Sequence, residues 1–312
     1  MKNKNKDFNK LAVPEIQFVI DHPKIEGDGE DALLCQANDN HCVAAVFDGC
    51  GGSGARKYDA YNGKTGAYVA SRIAAAATEK WHNAGAIGSP EEYIRPAIMK
   101  CSEKSGAKSG LRGSMIKEFP TTAAIISVKE KAERLDVCCH WAGDSRCYHI
   151  DRHGLHQLTW DDLDVQDAME NLSEDGVLKN VINASVPYEM HSQHYSAVRR
   201  CLLFSATDGC FGYLNSPMEF EFIILDTLMS SKSVDEWKSK LEAVIGERAG
   251  DDYTLCMLGY GFASILQIKL WYEARYKRVK EQYIEANGTV DEVWSEYKKA
   301  YNSVMPKKKP IE

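Results

Sequence analysis

The chain has 312 residues, of which 44% are hydrophobic and 27% are charged, a composition typical of a soluble protein with one large domain and room for an appendage. Its net charge of -7 provides no basic surface for nucleic acid or anionic lipid, so neither is expected as a partner. No apolar run approaches the ~20 residues that cross a bilayer, so no membrane association is expected.

Short β-rich runs bounded by turn residues dominate the chain up to about residue 260. The predicted strands cover 16–20, 32–37, 42–47, 121–128, 135–143, 146–150, 197–206 and 252–258. The predicted helices cover 63–82, 90–105, 217–228 and 233–246. Groups of strands separated by pairs of helices, with hairpin links such as 151–154, favour antiparallel sheets covered by helices over an alternating parallel α/β fold.

The tail from about residue 263 is predicted to be an α-hairpin followed by the basic end PKKKP. Asn287-Gly288 is expected to end its first helix, and Thr289 with Glu292 has the spacing of a capping box for the second. An aromatic stripe runs along both helices. It predicts packing against the main domain, with a surface for a partner or for self-association as the alternative.

The ten cysteines contain no C-x-x-C pair, and most lie in apolar runs such as LDVCCHW. They are predicted to be buried free thiols in a reducing compartment. The basic start MKNKNK precedes LAVPEIQFVI, in which Pro14, Glu15 and Gln17 interrupt the apolar region that a signal peptide requires. A cytoplasmic location is therefore predicted.

The stretch FDGCGGSGAR at 47–56 matches three signatures of phosphate-handling sites. Its glycines have the G-x-G-x-x-G spacing of a dinucleotide-binding turn. Cys50 and Arg56 have the spacing of a cysteine-dependent phosphatase. Asp48, which follows an apolar strand, could instead hold a hard metal ion together with the Gly49 carbonyl.

A dinucleotide site needs a helix directly after the third glycine and an acidic residue about 20 positions later. Polar ARKYDAYNGK follows Gly54, and helical ASRIAAAA lies where the acid is expected. The P-loop variant fails as well, because Ala55 and Arg56 stand where it requires Gly-Lys-Ser/Thr. The sequence therefore argues against both nucleotide-binding motifs.

A cysteine-dependent phosphatase needs a thiol of low pKa, usually supplied by a helix N-terminus and nearby cations. No helix is predicted to begin within 47–56, and Asp48 is expected to raise the pKa of Cys50. Cysteine-dependent phosphatase chemistry is therefore the least favoured of the hypotheses for this chain.

A metal centre needs further carboxylates at strand ends. Acidic residues border five predicted strands, namely Glu30, Asp31, Asp48, Asp144, Asp208, Asp251 and Asp252. Each alone is common in turns, but the set as a whole favours a metal centre.

In chain order, GEDALL, VFDGCGG, PTTAAI, WAGDSR, LTWDDL, SATDGCFGYL and GDDYTL resemble the successive motifs of the metal-dependent serine/threonine phosphatases, the PPM or protein phosphatase 2C family. The resemblance covers about 15–262, leaving 1–14 as a tail and 263–312 as the hairpin with its basic end. It implies an α+β fold, a four-layer α-β-β-α sandwich of two antiparallel sheets flanked by helices. It also implies an enzyme that dephosphorylates phosphoserine and phosphothreonine in proteins, with a role in signalling.

The resemblance further implies a binuclear Mn²⁺ or Mg²⁺ centre that activates water. Asp48 would bridge the two ions, and the Gly49 carbonyl would bind one of them. Asp208 and Asp251 would hold the other ion. The family pattern favours Asp251 over Asp252 as the direct ligand.

Three further acids complete the implied centre. Glu30 and Asp31 would act largely through water molecules bound to the ions. Asp144 would help to hold a third, weaker ion that some members have. Asp48 and Asp208 are the implied catalytic residues, because they hold the ions that activate water.

Several positions depart from the family pattern. Glu26 stands where many members have an arginine that binds the substrate phosphate, and Lys24, Arg56 and Lys57 are the candidate substitutes. Cys50 stands where some members have a histidine, their proposed general acid. Pro120 and Asp162 also differ from the pattern, as structural changes.

A second hypothesis follows from these departures. Glu26 and the added hairpin would also suit a regulatory binding module that has the phosphatase fold and little turnover. Because like charges destabilise a carboxylate site that has lost its metal, the complete set of acids favours the enzyme.

Overall fold

The computed structural model describes residues 13–38, 41–106, 117–131, 134–165, 167–172 and 176–307. The predicted tail 1–14, apart from its last two residues, lies outside these ranges, as do 308–312. None of the helices within the described ranges is both long and apolar enough to span a bilayer.

The described residues form twelve strands. They are β1 (Ile16–His22), β2 (Ala32–Ala37), β3 (Cys42–Phe47), β4 (Lys57–Tyr58), β5 (Lys64–Thr65), β6 (Ala123–Lys131), β7 (Arg134–Ala142), β8 (Arg146–Asp151), β9 (Gly154–Gln157), β10 (His191–Val198), β11 (Cys201–Ala206) and β12 (Tyr253–Tyr260). Sheet A has the order β1-β12-β11-β8-β9 and sheet B the order β10-β7-β6-β3-β2, with antiparallel neighbours throughout.

Seven α-helices accompany the strands in the described ranges. They are α1 (Gly51–Gly54), α2 (Gly66–Asn83), α3 (Glu91–Ser105), α4 (Pro217–Ser230), α5 (Val234–Gly246), α6 (Ile265–Val279) and α7 (Val290–Tyr301). Helix α6 continues into a π-helical turn at Lys280–Ile284. The side chains of Ser216 and Ser233 cap α4 and α5, which explains why both helices begin close to their predicted positions.

Three apolar clusters separate four layers. One lies between the two sheets and includes Val46, Trp141 and Leu258. A second joins the outer face of sheet B to α2 and α3, and a third joins the outer face of sheet A to α4 through α7. The predicted four-layer α+β sandwich is therefore confirmed, and covering both faces of each sheet explains the uninterrupted apolar run of β3.

The predicted strand at 197–206 is wrong in its extent. The chain leaves β10 of sheet B and enters β11 of sheet A at Arg199 and Arg200. Arg200 has a φ of 73°, outside the β region, and Arg199 forms ion pairs with Glu15 and Glu130. One apolar run therefore supplies two strands of different sheets.

The C-terminal hairpin packs against sheet A and α4. The predicted capping box at Thr289 and Glu292 is present. Tyr272 and Tyr301 of its aromatic stripe are buried in the same cluster as sheet A. These rings are therefore not available to a partner, whereas binding through other residues of the hairpin stays a prediction, as does a domain boundary after residue 262.

Candidate metal centre

The strand register gathers the predicted acids at one end of the sandwich. Strand β2 begins beside the end of β3, so Asp31 and Asp48 border the same edge of sheet B. Strand β12 begins beside the end of β11, which brings Asp251 and Asp208 to the corresponding edge of sheet A. Asp144 follows β7, whose end pairs with the start of β6 next to β3.

Asp31 links the two sheets at this end. The Thr207 hydroxyl donates to Asp31 Oδ2 at 2.9 Å, and the Thr207 amide donates to the Thr254 carbonyl at 3.0 Å. The Thr254 amide in turn donates to Thr207 Oγ1 at 2.9 Å. The ends of β2, β11 and β12 are thus held in a fixed relation, which positions their acids.

Asp251 and Asp252 make different hydrogen bonds. Asp252 accepts the backbone amides of Lys24 and Glu30, each at 2.6 Å. Asp251 is exposed and accepts only the Asp252 amide, at 2.8 Å, among the hydrogen bonds of the described chain. Asp252 therefore fixes the loop before β2, and Asp251 keeps more of its oxygen lone pairs for an ion.

The segment around Asp48 is fixed by the PTT motif. Thr122 donates its amide to the Asp48 carbonyl at 2.8 Å and accepts the Asp48 amide at Oγ1. The Thr121 hydroxyl donates to the same carbonyl at 2.8 Å. Asp48 is thus anchored through its backbone while its carboxylate stays at the end of β3.

Gly49 lies where only a glycine fits. A Cβ atom at this position would come within 2.7 Å of the backbone oxygens of Glu30 and Ala67. Gly49 and Thr121 form an isolated antiparallel bridge, whose hydrogen bonds join Cys50 to Pro120 and Thr122 to Asp48. The Gly49 carbonyl is therefore not used in this bridge. The close approach brings this carbonyl into the same loop cluster as Glu30 and Asp48.

Burial and mutual repulsion raise the pKa values of the acids. Burial, followed by repulsion from neighbouring carboxylates, raises the pKa of Asp48 well above its usual value. The same causes raise the pKa of Asp31 and Asp144 to about 8, and that of Asp208 to about 6. Burial is also the main reason why the pKa of Glu30 is raised. Such mutual repulsion is relieved when a cation binds.

The donor set fits divalent ions that prefer oxygen ligands. It consists of carboxylates and one backbone carbonyl, and Asp144 Oδ1 is buried without a hydrogen-bond partner among the described residues. Within those ranges, no three of the acids bring ligand atoms within 4.8 Å of one another.

Arg146 and Asp161 form a buried ion pair beside the acids. Neither residue was predicted from the sequence to belong to the site. Arg146 donates to Asp161 at 2.6 and 2.9 Å and lies 4.2 Å from the ring centre of Phe211. The pair lines a cavity of about 390 Å³ together with Asp144 and Asp208. Its only trace in the sequence is the arginine of WAGDSR and the first aspartate of LTWDDL.

Asp162 positions the loop that carries Asp144. It accepts the Gly143 amide at 2.9 Å and contacts Asn180 and His191 at 2.6 and 2.9 Å. This departure from the family pattern therefore has a structural role.

Cys50 corrects one prediction. Helix α1, only four residues long, begins directly after it, although no helix was predicted in this stretch. Burial, together with the charges of Asp48 and Asp144, nevertheless raises the pKa of Cys50 well above its usual value. The thiol is thus a poor nucleophile, which argues against the cysteine mechanism.

The candidate phosphate-binding cations lie in different surroundings. Lys24 contacts the site, because its ammonium group donates to the carbonyl of Gly250, next to Asp251. Arg56 lies over the ring of Tyr58, and Lys57 is exposed. Among the three, Lys24 is the best placed.

A profile described as protein phosphatase 2C matches residues 26–245, more than two thirds of the chain. A search of curated protein sequences finds no significant match.

Three solved structures share the fold. The serine/threonine phosphatase PstP/Ppp of Mycobacterium tuberculosis is 17% identical, with a TM-score of 0.56 over 79% of this chain and 99% of that one. Stp1 of Staphylococcus aureus is 14% identical, with a TM-score of 0.57 over 81% and 98% of the two chains. The PstP catalytic domain in complex with 2 manganese ions is 15% identical, with a TM-score of 0.52 over 78% and 97%.

Proposed function

Because the chain belongs to the protein phosphatase 2C family, we propose that it is a metal-dependent phosphatase that hydrolyses phosphoserine and phosphothreonine in proteins. The observation that carries this proposal is the set of carboxylates at one end of the sandwich. Asp48, Asp31, Asp144 and Asp208 have raised pKa values through burial and mutual repulsion, which bound cations would offset.

The proposed centre holds two Mn²⁺ or Mg²⁺ ions, the number present in the PstP complex. Asp48, the Gly49 carbonyl, Asp208 and Asp251 would hold these ions. The buried, unpartnered Oδ1 of Asp144 supports a third position. When bound, the ions would lower the pKa of water and neutralise charge on the phosphoryl oxygens.

The protein's own residues would orient the reactants. Thr121 and Thr122 fix Asp48 through its backbone, and Asp252 holds the loop that carries Glu30. The cavity lined by Asp144, Asp208 and the Arg146 pair offers room for a phosphorylated side chain. Arg146 is already paired with Asp161, so Lys24 is the proposed phosphate contact.

The direct test compares Mn²⁺-dependent hydrolysis of p-nitrophenyl phosphate and of a phosphothreonine peptide by the wild-type protein and by Asp208→Asn. Wild-type activity should disappear with a chelator and return with Mn²⁺, and Asp208→Asn should lose at least a hundredfold. Cys50→Ser is the matched control, and it should keep most of the activity. Hydrolysis that persists in the presence of a chelator would contradict the metal mechanism. So would a loss of activity in Cys50→Ser but not in Asp208→Asn.

The regulatory-module hypothesis has a separate outcome. Glu26 is exposed, and the acids that usually decay in an inactive relative are all present. A wild-type protein that binds Mn²⁺ in a calorimetric titration, yet hydrolyses neither substrate, would favour it.

All ten cysteines are free, which supports the predicted reducing, cytoplasmic environment.

A further inference from the structure

A second cluster of metal-binding side chains lies toward the opposite end of sheet A. His149 and Asp151 belong to β8, and His156 of β9 lies directly opposite His149 in the antiparallel ladder. Residues two positions apart share a face of a strand, so all three side chains are on one face. Each offers one ligand atom, and these atoms all lie within 4.8 Å of one another.

Each imidazole ring forms a hydrogen bond through its Nδ1 atom. His156 Nδ1 lies 2.7 Å from the Ala300 carbonyl, and because a carbonyl only accepts, this nitrogen carries a proton. His156 Nε2 faces Asp151 Oδ1 at 3.2 Å. His149 Nδ1 lies 2.7 Å from the Tyr195 hydroxyl. Histidine ligands of metal sites are commonly fixed by such bonds from the other ring nitrogen.

His149 has a nitrogen with nothing to bind. The residue is only 3% exposed, and its Nε2 has no hydrogen-bond partner within the described part of the chain. Its ring is stacked beside that of His156, with centroids 5.6 Å apart. Buried polar atoms normally have a partner, so this nitrogen is available to a ligand.

We propose that His149, Asp151 and His156 bind one divalent transition-metal ion of the Zn²⁺ class. Two imidazoles and one carboxylate suit Zn²⁺, Co²⁺ or Ni²⁺, whereas Mg²⁺ and Mn²⁺ prefer the all-oxygen centre. Water would fill the remaining positions. The Asp151 side chain is 31% exposed, which gives an ion a route from solvent.

This ion would also connect the sandwich to the C-terminal hairpin. Ala300 lies in the last turn of α7, and Ser303 Oγ is 3.2 Å from the same His156 nitrogen. A metal on His156 Nε2 would keep Nδ1 protonated and preserve its bond to Ala300. Occupancy of the site should therefore protect the end of α7.

The experiment titrates the full-length protein with Co²⁺ in the presence of excess Mg²⁺, which would compete with Co²⁺ for the proposed acidic centre. The wild type should bind one equivalent and show the visible absorption of nitrogen-ligated Co²⁺. His149→Ala should bind at least tenfold more weakly and lose this spectrum. His153→Ala, an exposed histidine in the adjacent turn, is the matched control and should bind like the wild type.

A second measurement, of melting temperature and amide exchange, separates loss of metal binding from loss of folding in the variants. His156→Ala also removes the bond to Ala300, so His149→Ala is the primary variant, and circular dichroism checks that it is folded. Zn²⁺ should raise the melting temperature and slow amide exchange at the end of α7 in the wild type and in Asp208→Asn, but not in His149→Ala. Absence of Co²⁺ and Zn²⁺ binding in the wild type, or equal binding by His149→Ala and His153→Ala, would overturn the proposal.

Discussion

Arg275 joins the C-terminal hairpin to the sandwich through a buried ion pair. It donates to both carboxylate oxygens of Glu221 in α4 at 2.7 Å, and the Tyr297 hydroxyl donates to the same carboxylate at 2.6 Å. The Glu221 side chain is completely buried. Arg275→Leu would leave this carboxylate with Tyr297 as its remaining partner.

We expect Arg275→Leu to lower the free energy of unfolding by about 3–5 kcal/mol, the usual cost of removing one partner of a buried pair. This corresponds to roughly two to three and a half orders of magnitude in the unfolding equilibrium. Glu221→Leu combined with Arg275→Leu should recover most of the loss, because it leaves no unpaired charge. Arg278→Leu, on the exposed side of α6, should change stability by less than about 0.5 kcal/mol.

The assay is urea denaturation followed by tryptophan fluorescence and circular dichroism. A single transition for each variant would mean that hairpin and sandwich unfold together, whereas an early hairpin transition would support a boundary after residue 262. A loss below about 1 kcal/mol in Arg275→Leu, or no recovery in the double variant, would refute the reasoning about the buried charge.

Three further predictions concern the acidic centre. Gly49→Ala should weaken Mn²⁺ binding and cost about 1–3 kcal/mol of stability, measured by calorimetry and denaturation, because its Cβ would meet backbone oxygens. Raised pKa values of about 8 for Asp31 and Asp144 favour the folded state below about pH 4, and this contribution is lost as the pH rises through about 8. The melting temperature of the metal-free protein should therefore fall between about pH 5 and pH 8, and Mn²⁺ should reverse the fall. Lys24→Ala should raise KM for a phosphopeptide severalfold with little change in kcat, measured by steady-state kinetics.

Each of these has a control. Gly52→Ala has open space around its Cβ and should bind Mn²⁺ like the wild type. Asp144→Asn should flatten the pH dependence of the metal-free protein, so an unchanged slope would contradict the electrostatic explanation. Lys57→Ala should leave KM unchanged, and an equal effect of both lysine variants would mean that Lys24 has no special contact.

Much of the fold was predictable because its information is local. Apolar runs marked most strands, and the capping box at Thr289 marked the start of α7. Acids at strand ends indicated a candidate metal centre, and the register of the strands brings these ends together at one end of the sandwich. The break at Arg199 and Arg200 was not predictable, because Arg199 pairs with Glu15 and Glu130, which are distant in sequence.

The sequence by itself thus indicated the family, through short motifs, and the layered fold that the family implies. It also marked the acids proposed for the candidate centre. Only the tertiary structure decided how those acids perturb one another, because burial and repulsion depend on distances across the two sheets. It also paired Arg146 with Asp161 and placed His149 opposite His156 beneath the end of α7. Contacts of this kind join residues from separate elements, so no local pattern contains them.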